Sequence, residues 1–167
     1  MRVALIGLYE PRWTEQIHDE WTRNVLADNP QVMPAQTSRT RRLMNESIPA
    51  AVVSGFEGLI SSLNLPDAND RHVLAAAIKA KAAVIVTFNL SDFPAAILQV
   101  YGLRPVHPDL FLSTLFDEDP ALFLSAVQTH RASLHHPPKD AVGYVQTLKT
   151  NNLKELARRL ESNLNRF

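Results

Sequence analysis

Between residues 67 and 92, five side chains that carry oxygen donors surround one short helix–strand unit, LPDANDRHVLAAAIKAKAAVIVTFNLSDFP. They are Asp67, Asp70, Thr87, Asn89 and Asp92. Carboxylates with amide and hydroxyl partners are the donor set of a hard divalent cation, Mg²⁺ or Mn²⁺, which keeps several waters. Such a cation activates water and stabilises charge building on a phosphodiester. Each residue also has a purely structural reading. Asp67 after Pro66 suits a turn, Asp70 a helix N-cap, Asn89 an Asx-turn, Asp92 the cap of the next helix, and Thr87 a strand. His72 reads as a helix-surface residue rather than a ligand. His107, His130, His135 and His136 show no metal-ligand spacing.

These side chains must be held by the elements around them. Asn69–Ala82 reads as a helix, with Val73, Leu74, Ala77 and Ile78 on one apolar face. Val84–Phe88 (VIVTF) reads as a β-branched, central parallel strand. Ligands of an open parallel sheet bind beyond the carboxyl ends of its strands, where Thr87, Asn89 and Asp92 lie. Upstream, Trp13, Ile17, Trp21 and Val25 recur every four residues, so Trp13–Leu26 reads as an amphipathic helix with Thr14 as a possible N-cap and Asp28-Asn29-Pro30 as its stop. Residues 36–48 suit another helix, bearing Arg39, Arg41 and Arg42. This basic triplet is either a solvated face or an RNA contact. Ala50–Ser54 reads as a buried strand, Asp92–Tyr101 as a short helix and Leu103–Val106 as a last strand. Beyond His107 only helices are expected: Pro108–Phe116, Pro120–Leu134, Lys139–Thr147 and Leu153–Leu164. The order implies an α/β fold with a parallel sheet at 1–106 and a helical C-terminal extension at 107–167 packed on it.

Composition narrows the class. The 167 residues suffice for a real core, and 46% are hydrophobic. Cysteine is absent, which excludes disulfides and thiolate metal sites. No run is long and apolar enough for a membrane span, and MRVALIGLYEPRW makes a poor signal peptide, so a cytoplasmic protein is expected. Net charge is zero but uneven: residues 50–127 carry eight acids against four bases, and 128–167 three against seven. With five glycines and no Gly-rich loop, a nucleotide-binding α/β domain is disfavoured.

The segments Asp70-Arg71-His72-Val73-Leu74-Ala75-Ala76-Ala77 and Thr87-Phe88-Asn89-Leu90-Ser91-Asp92-Phe93-Pro94 resemble those of the PIN-domain family, nucleases that include the VapC-type toxins of bacterial toxin–antitoxin pairs. Gly7–Thr14, Ile17–Trp21 and His107-Pro108-Asp109 are similar to the same group's early helices and C-terminal region. The resemblance implies a ribonuclease that uses a few acids to hold Mg²⁺ or Mn²⁺ and cuts single-stranded RNA or tRNA. It implies that Glu20, Asp70 and Asp92 hold the metal, with Asn89 and Thr87 beside them. It also implies an antitoxin-like protein partner and a homo-oligomer. Family members open with a strand ending in an aspartate, whereas here Met1 lies six residues before Gly7 and the first Asp is Asp19. That strand and its aspartate are therefore expected to be missing. Met1 would then be an internal start, or the chain a natural truncation or a degenerate module. Weak or no nuclease activity follows, with a non-catalytic interaction module as the alternative.

Overall fold

The computed structural model describes residues 2–135 and 137–167; Met1 and the expectation placed on His136 lie outside them. The helices before the sheet are α1 (Arg2–Leu5), α2 (Glu15–Asp28), α3 (Pro34–Ser47), α4 (Glu57–Ile60) and α5 (Arg71–Lys79). Strand β1 (Val84–Val86), the short helix α6 (Ala95–Leu98) and strand β2 (Arg104–Val106) follow. The chain closes with α7 (Pro108–Glu118), α8 (Pro120–Ala132), α9 (Ala141–Thr150) and α10 (Lys154–Glu161). Mostly helical with one small parallel pair of strands, this is an α/β fold with a helical C-terminal part. No described helix is long and apolar enough to cross a membrane.

Two compact units emerge. The first comprises residues 1–9, 86–88 and 106–167. In it α7 packs against α8 and α10, α10 against α9, and α1 against α8. Leu115, Phe116, Phe123, Leu156 and Leu160 form its core. Three helices here start on local signals. Pro108 and Pro120 supply a preset φ at the first turn, and His107, Asp119 and Asp140 accept from the N–H groups of Asp109, Leu122 and Gly143. The cap of α10 comes from far away: Asp109, buried on α7, accepts from the N–H groups of Glu155 at 2.8 Å and Leu156 at 2.9 Å.

The second unit comprises residues 10–85 and 89–105. Its core is Leu74, Ala75, Ala76, Phe56, Phe93 and Leu98 with their neighbours. Small side chains let α5 be buried around much of its girth. The expected helix over 69–82 is shorter because Asp67 takes the Asn69 N–H at 2.8 Å and winds Ala68–Asp70 into a 3₁₀ turn. At its other end Lys81 turns left-handed, at φ 51°. In α2, Thr14 caps the Ile17 N–H as expected, and Asn29 ends the helix.

Three expectations on local structure are corrected. Ala50–Ser54 is no strand. Pro49–Ala51 is a 3₁₀ turn, and Val52 makes a single parallel bridge with Trp13. That ladder stops at once because Thr14, next to Trp13, already caps a helix. Strand β1 is not central among the described residues: the sheet is two-stranded, β1 beside β2, with the Arg104 N–H on the Ala83 carbonyl and the Thr87 N–H on that of Val106. The helix expected over Asp92–Tyr101 breaks into Leu90–Asp92, α6 and Gln99–Tyr101. Pro94 holds Phe93 out of the helical region, at φ −122° and ψ 65°. Gly102, at φ 72°, then makes the left-handed turn into β2 that a residue with a Cβ would strain.

Candidate active site

Four of the residues singled out from sequence belong to the second unit. Glu20 lies in the middle of α2, and Asp70 at the N-terminus of α5. Asn89 and Asp92 lie in the 3₁₀ turn that follows β1. Thr87 belongs to the first unit, where its N–H donates to Val106 at 3.0 Å.

Asp70 occupies the N-cap position of α5 but makes no side-chain cap bond, so the capping reading does not account for it. Its carboxyl is pushed above the usual range. Partial burial is the largest cause, followed by the negative charges of Asp67, Asp92 and Glu20, while His72 pulls the other way. Asp67 itself serves the turn, as its structural reading expects. Asn89 donates through Nδ2 to Asp92, and its Oδ1 accepts from the Ser91 hydroxyl at 2.6 Å. Asp92 does not cap α6, whose N-cap is Pro94.

His72 is the clearest departure from expectation. It is 1% exposed rather than on the helix surface, and its Nε2 lies 2.8 Å from Glu20 Oε1. His18 and Asn45, which the sequence pattern did not single out, form a second polar cluster with Trp21 in this unit. His18 is fully buried; its Nδ1 accepts from the Trp21 indole at 2.8 Å and its Nε2 meets Asn45 Oδ1 at 2.9 Å. The same Asn45 oxygen accepts from the Trp13 indole at 2.7 Å. The four-residue recurrence of Trp13, Ile17 and Trp21 put the indoles on one helical face, but no local signal named Asn45 as the shared acceptor.

The basic triplet divides. Arg41 is held by Glu15 and Asp19 on α2, with the Asp19 bond at 2.6 Å. Arg42 reaches only Glu46, at 3.9 Å, and Arg39 is exposed. Among the remaining histidines, His107 caps α7 and His130 Nδ1 pairs with the Tyr144 hydroxyl at 2.9 Å.

Among the described residues, no three His, Asp or Glu side chains converge closely enough to hold a metal ion between them. The donor chemistry nevertheless suits a hard cation: Glu20, Asp70 and Asp92 offer carboxylate oxygens, Asn89 an amide oxygen, and the negative charge crowding Asp70 is what a divalent cation would neutralise.

A parallel strand pair, acids at the carboxyl end of its first strand and a C-terminal set of helices define an α/β protein with a helical C-terminal part. The model of the VapC50 C-terminal domain matches residues 108–162. Over 70 residues the chain is 43% identical to "Putative ribonuclease VapC50" of Mycobacterium tuberculosis (strain ATCC 25618 / H37Rv), a stretch that covers 42% of this chain and 41% of that protein. The match thus spans less than half the length of the curated relative. No solved structure matches the chain. Over these stretches the chain is similar to VapC50 proteins.

Proposed function

We propose that this chain carries the acidic site of a metal-dependent ribonuclease of VapC-like toxin type. The observation that carries the reading is Asp70: a helix-terminal carboxylate that caps nothing and is raised by burial and by Asp67, Asp92 and Glu20. A perturbed acid without a structural task is a candidate for function. Glu20, Asp70 and Asp92 would hold Mg²⁺ or Mn²⁺, whose chemistry there is to polarise a phosphodiester and make bound water acidic. Asn89 orients Asp92 through its amide. Arg39 and Arg42 offer cations to the backbone of single-stranded RNA or tRNA, whereas Arg41 is engaged by α2. Since the acids do not converge, the cation must draw them together. Weak metal affinity and slow cleavage are therefore expected. An antitoxin-like protein is the expected partner in the cell.

A second reading has its own support. Val86 and Phe88, on and just after β1, are 41% and 59% exposed. A strand with exposed apolar side chains suits a non-catalytic module that pairs with a second copy or with an antitoxin-like chain.

Cleavage of a single-stranded RNA by the chain, first stripped with EDTA and then given Mn²⁺, tests the first reading. Slow, Mn²⁺-dependent cleavage that Asp70→Asn abolishes supports it. Cleavage that persists in EDTA, or that ignores Asp70→Asn, sinks it. Absence of cleavage together with dimerisation or tight antitoxin binding favours the second.

A further inference from the structure

We infer that Phe88, braced by His107, is a stacking platform for one base of a single-stranded RNA. The inference rests on the RNA half of the preceding reading and calls on no cation. The two strands run parallel, with the Thr87 N–H on the Val106 carbonyl at 3.0 Å. Phe88 follows β1 by two positions and His107 follows β2 by one. Both rings therefore stand just beyond the carboxyl ends of the strands, where an open parallel sheet binds its ligands. Both belong to the first unit.

Phe88 is 59% exposed, apolar surface that the core has not taken. It is nonetheless held in place. Its ring meets that of His107 edge to face, with centroids 5.2 Å apart and planes at 86°. His107 is fixed in turn, because its Nδ1 accepts the Asp109 N–H at 3.1 Å and caps α7. An edge-to-face contact covers at most one face of a ring, so Phe88 keeps a face for a ligand. The cap also settles the tautomer: with Nδ1 accepting, the hydrogen of the neutral imidazole sits on Nε2. No described group accepts that hydrogen. A nucleobase answers both features. Its π-face stacks on the phenyl ring, and its edge or its phosphate holds acceptors for the Nε2–H. A purely apolar protein patch would cover the ring but strand the N–H. Bases inside a duplex have both faces occupied, so the strand that fits is single.

Binding of a short single-stranded RNA to the whole chain tests this, read by fluorescence anisotropy in EDTA and, within seconds of mixing, in Mn²⁺. Phe88→Leu keeps apolar bulk and removes the π-face, whereas Phe88→Trp keeps both. We expect F88L to weaken RNA binding about 5- to 150-fold, the worth of one stacked base, and F88W to stay within about 3-fold of the native chain. The slope of log affinity against log salt should stay the same in F88L, because stacking releases no counterion. Copies of the RNA with one abasic ribose at successive positions supply a second arm. At one position the missing base should cost the native chain as much as F88L does, and cost F88L little more. Circular dichroism confirms that the variants are folded. If the native chain binds RNA and folded F88L binds it equally well, the platform is wrong while the RNA reading stands. Loss of self-association in F88L at unchanged RNA affinity would also overturn it, and would give the ring to a protein interface. If the native chain binds RNA under neither condition, the RNA reading falls and takes this inference with it.

Discussion

Asp109 and Leu156 stand forty-seven positions apart, yet an Asp109 carboxylate oxygen accepts the Leu156 N–H at 2.9 Å while the other takes the neighbouring N–H of Glu155. One buried acid on α7 thus does for α10 what a local N-cap does elsewhere. The position just before α10 is Leu153, which has no side-chain acceptor to offer. Hydrogen bonds from a charged acceptor are strong and costly to leave unmade. Asp109→Ala should therefore destabilise the helical unit by about 2–3 kcal/mol. Hydrogen exchange should show the Glu155 and Leu156 amides losing protection first. If those amides stay protected, α10 has another cap.

Asp70 makes the opposite prediction. Its carboxyl is raised above the ordinary range, so the folded chain holds that proton more tightly than the unfolded chain. The ionised form therefore costs stability at neutral pH. The cost shrinks as pH falls through the raised value and is gone below the ordinary carboxylate value of about 3.9. Asp70→Asn should melt higher than the native chain at pH 7, with the gap closing by about pH 4. Thermal melts across that range, without divalent metal, check the sign. Added Mn²⁺ should raise the native chain's melting point and leave that of D70N unchanged.

Asn45 Oδ1 serves two ring donors at once, Trp13 Nε1 and His18 Nε2. Replacing it by leucine strands both inside the second unit. Asn45→Leu should cost about 2–4 kcal/mol, more than one hydrogen bond is worth, because each orphaned donor carries its own desolvation penalty. Urea unfolding followed by far-UV circular dichroism measures it. A loss under about 1 kcal/mol would mean that water or a shifted side chain replaces the amide.

The three arginines of α3 should separate in an RNA-binding experiment. Arg39→Ala and Arg42→Ala should each reduce the slope of log affinity against log salt by about 0.7, the value for one phosphate contact on a single strand. Arg41→Ala should leave the slope alone. It should cost at most about 1 kcal/mol of stability, because its carboxylate partners are more than half exposed. Equal effects on the slope from all three would show that Arg41 leaves α2 to meet RNA.

The sequence announced elements whose signals are local. The indole and aliphatic recurrence from Trp13 to Val25 and the Thr14 cap located α2. The β-branched Val84–Val86 run gave β1, and the prolines at 108 and 120 opened their helices. Signals that depend on a distant partner were invisible. Ala50–Ser54 has strand composition, but its only neighbour, Trp13, turns straight into a helix. His72 sits among alanines in a pattern that fits surface or core equally, and only Glu20, from another helix, explains its burial. Glu20 itself has no local mark, since a mid-helix acid is ordinary, and only the family resemblance drew it out. Asp70 and Asp92 were legible as acids near a strand end. That Asp70 forgoes the cap it is placed to make was not.

Both tryptophans of the chain, Trp13 and Trp21, flank His18 in the second unit, and the helical unit that ends the chain has none. Indole emission is therefore a built-in optical reporter of one half of the molecule. Of the three tyrosines, Tyr9 and Tyr144 lie in the other unit and Tyr101 in this one, so only the indole signal belongs to a single unit. Excitation at the red edge, where tyrosine is silent, isolates the half that carries the acids. A melt in which indole emission and far-ultraviolet ellipticity part company would resolve the units one from the other without any label.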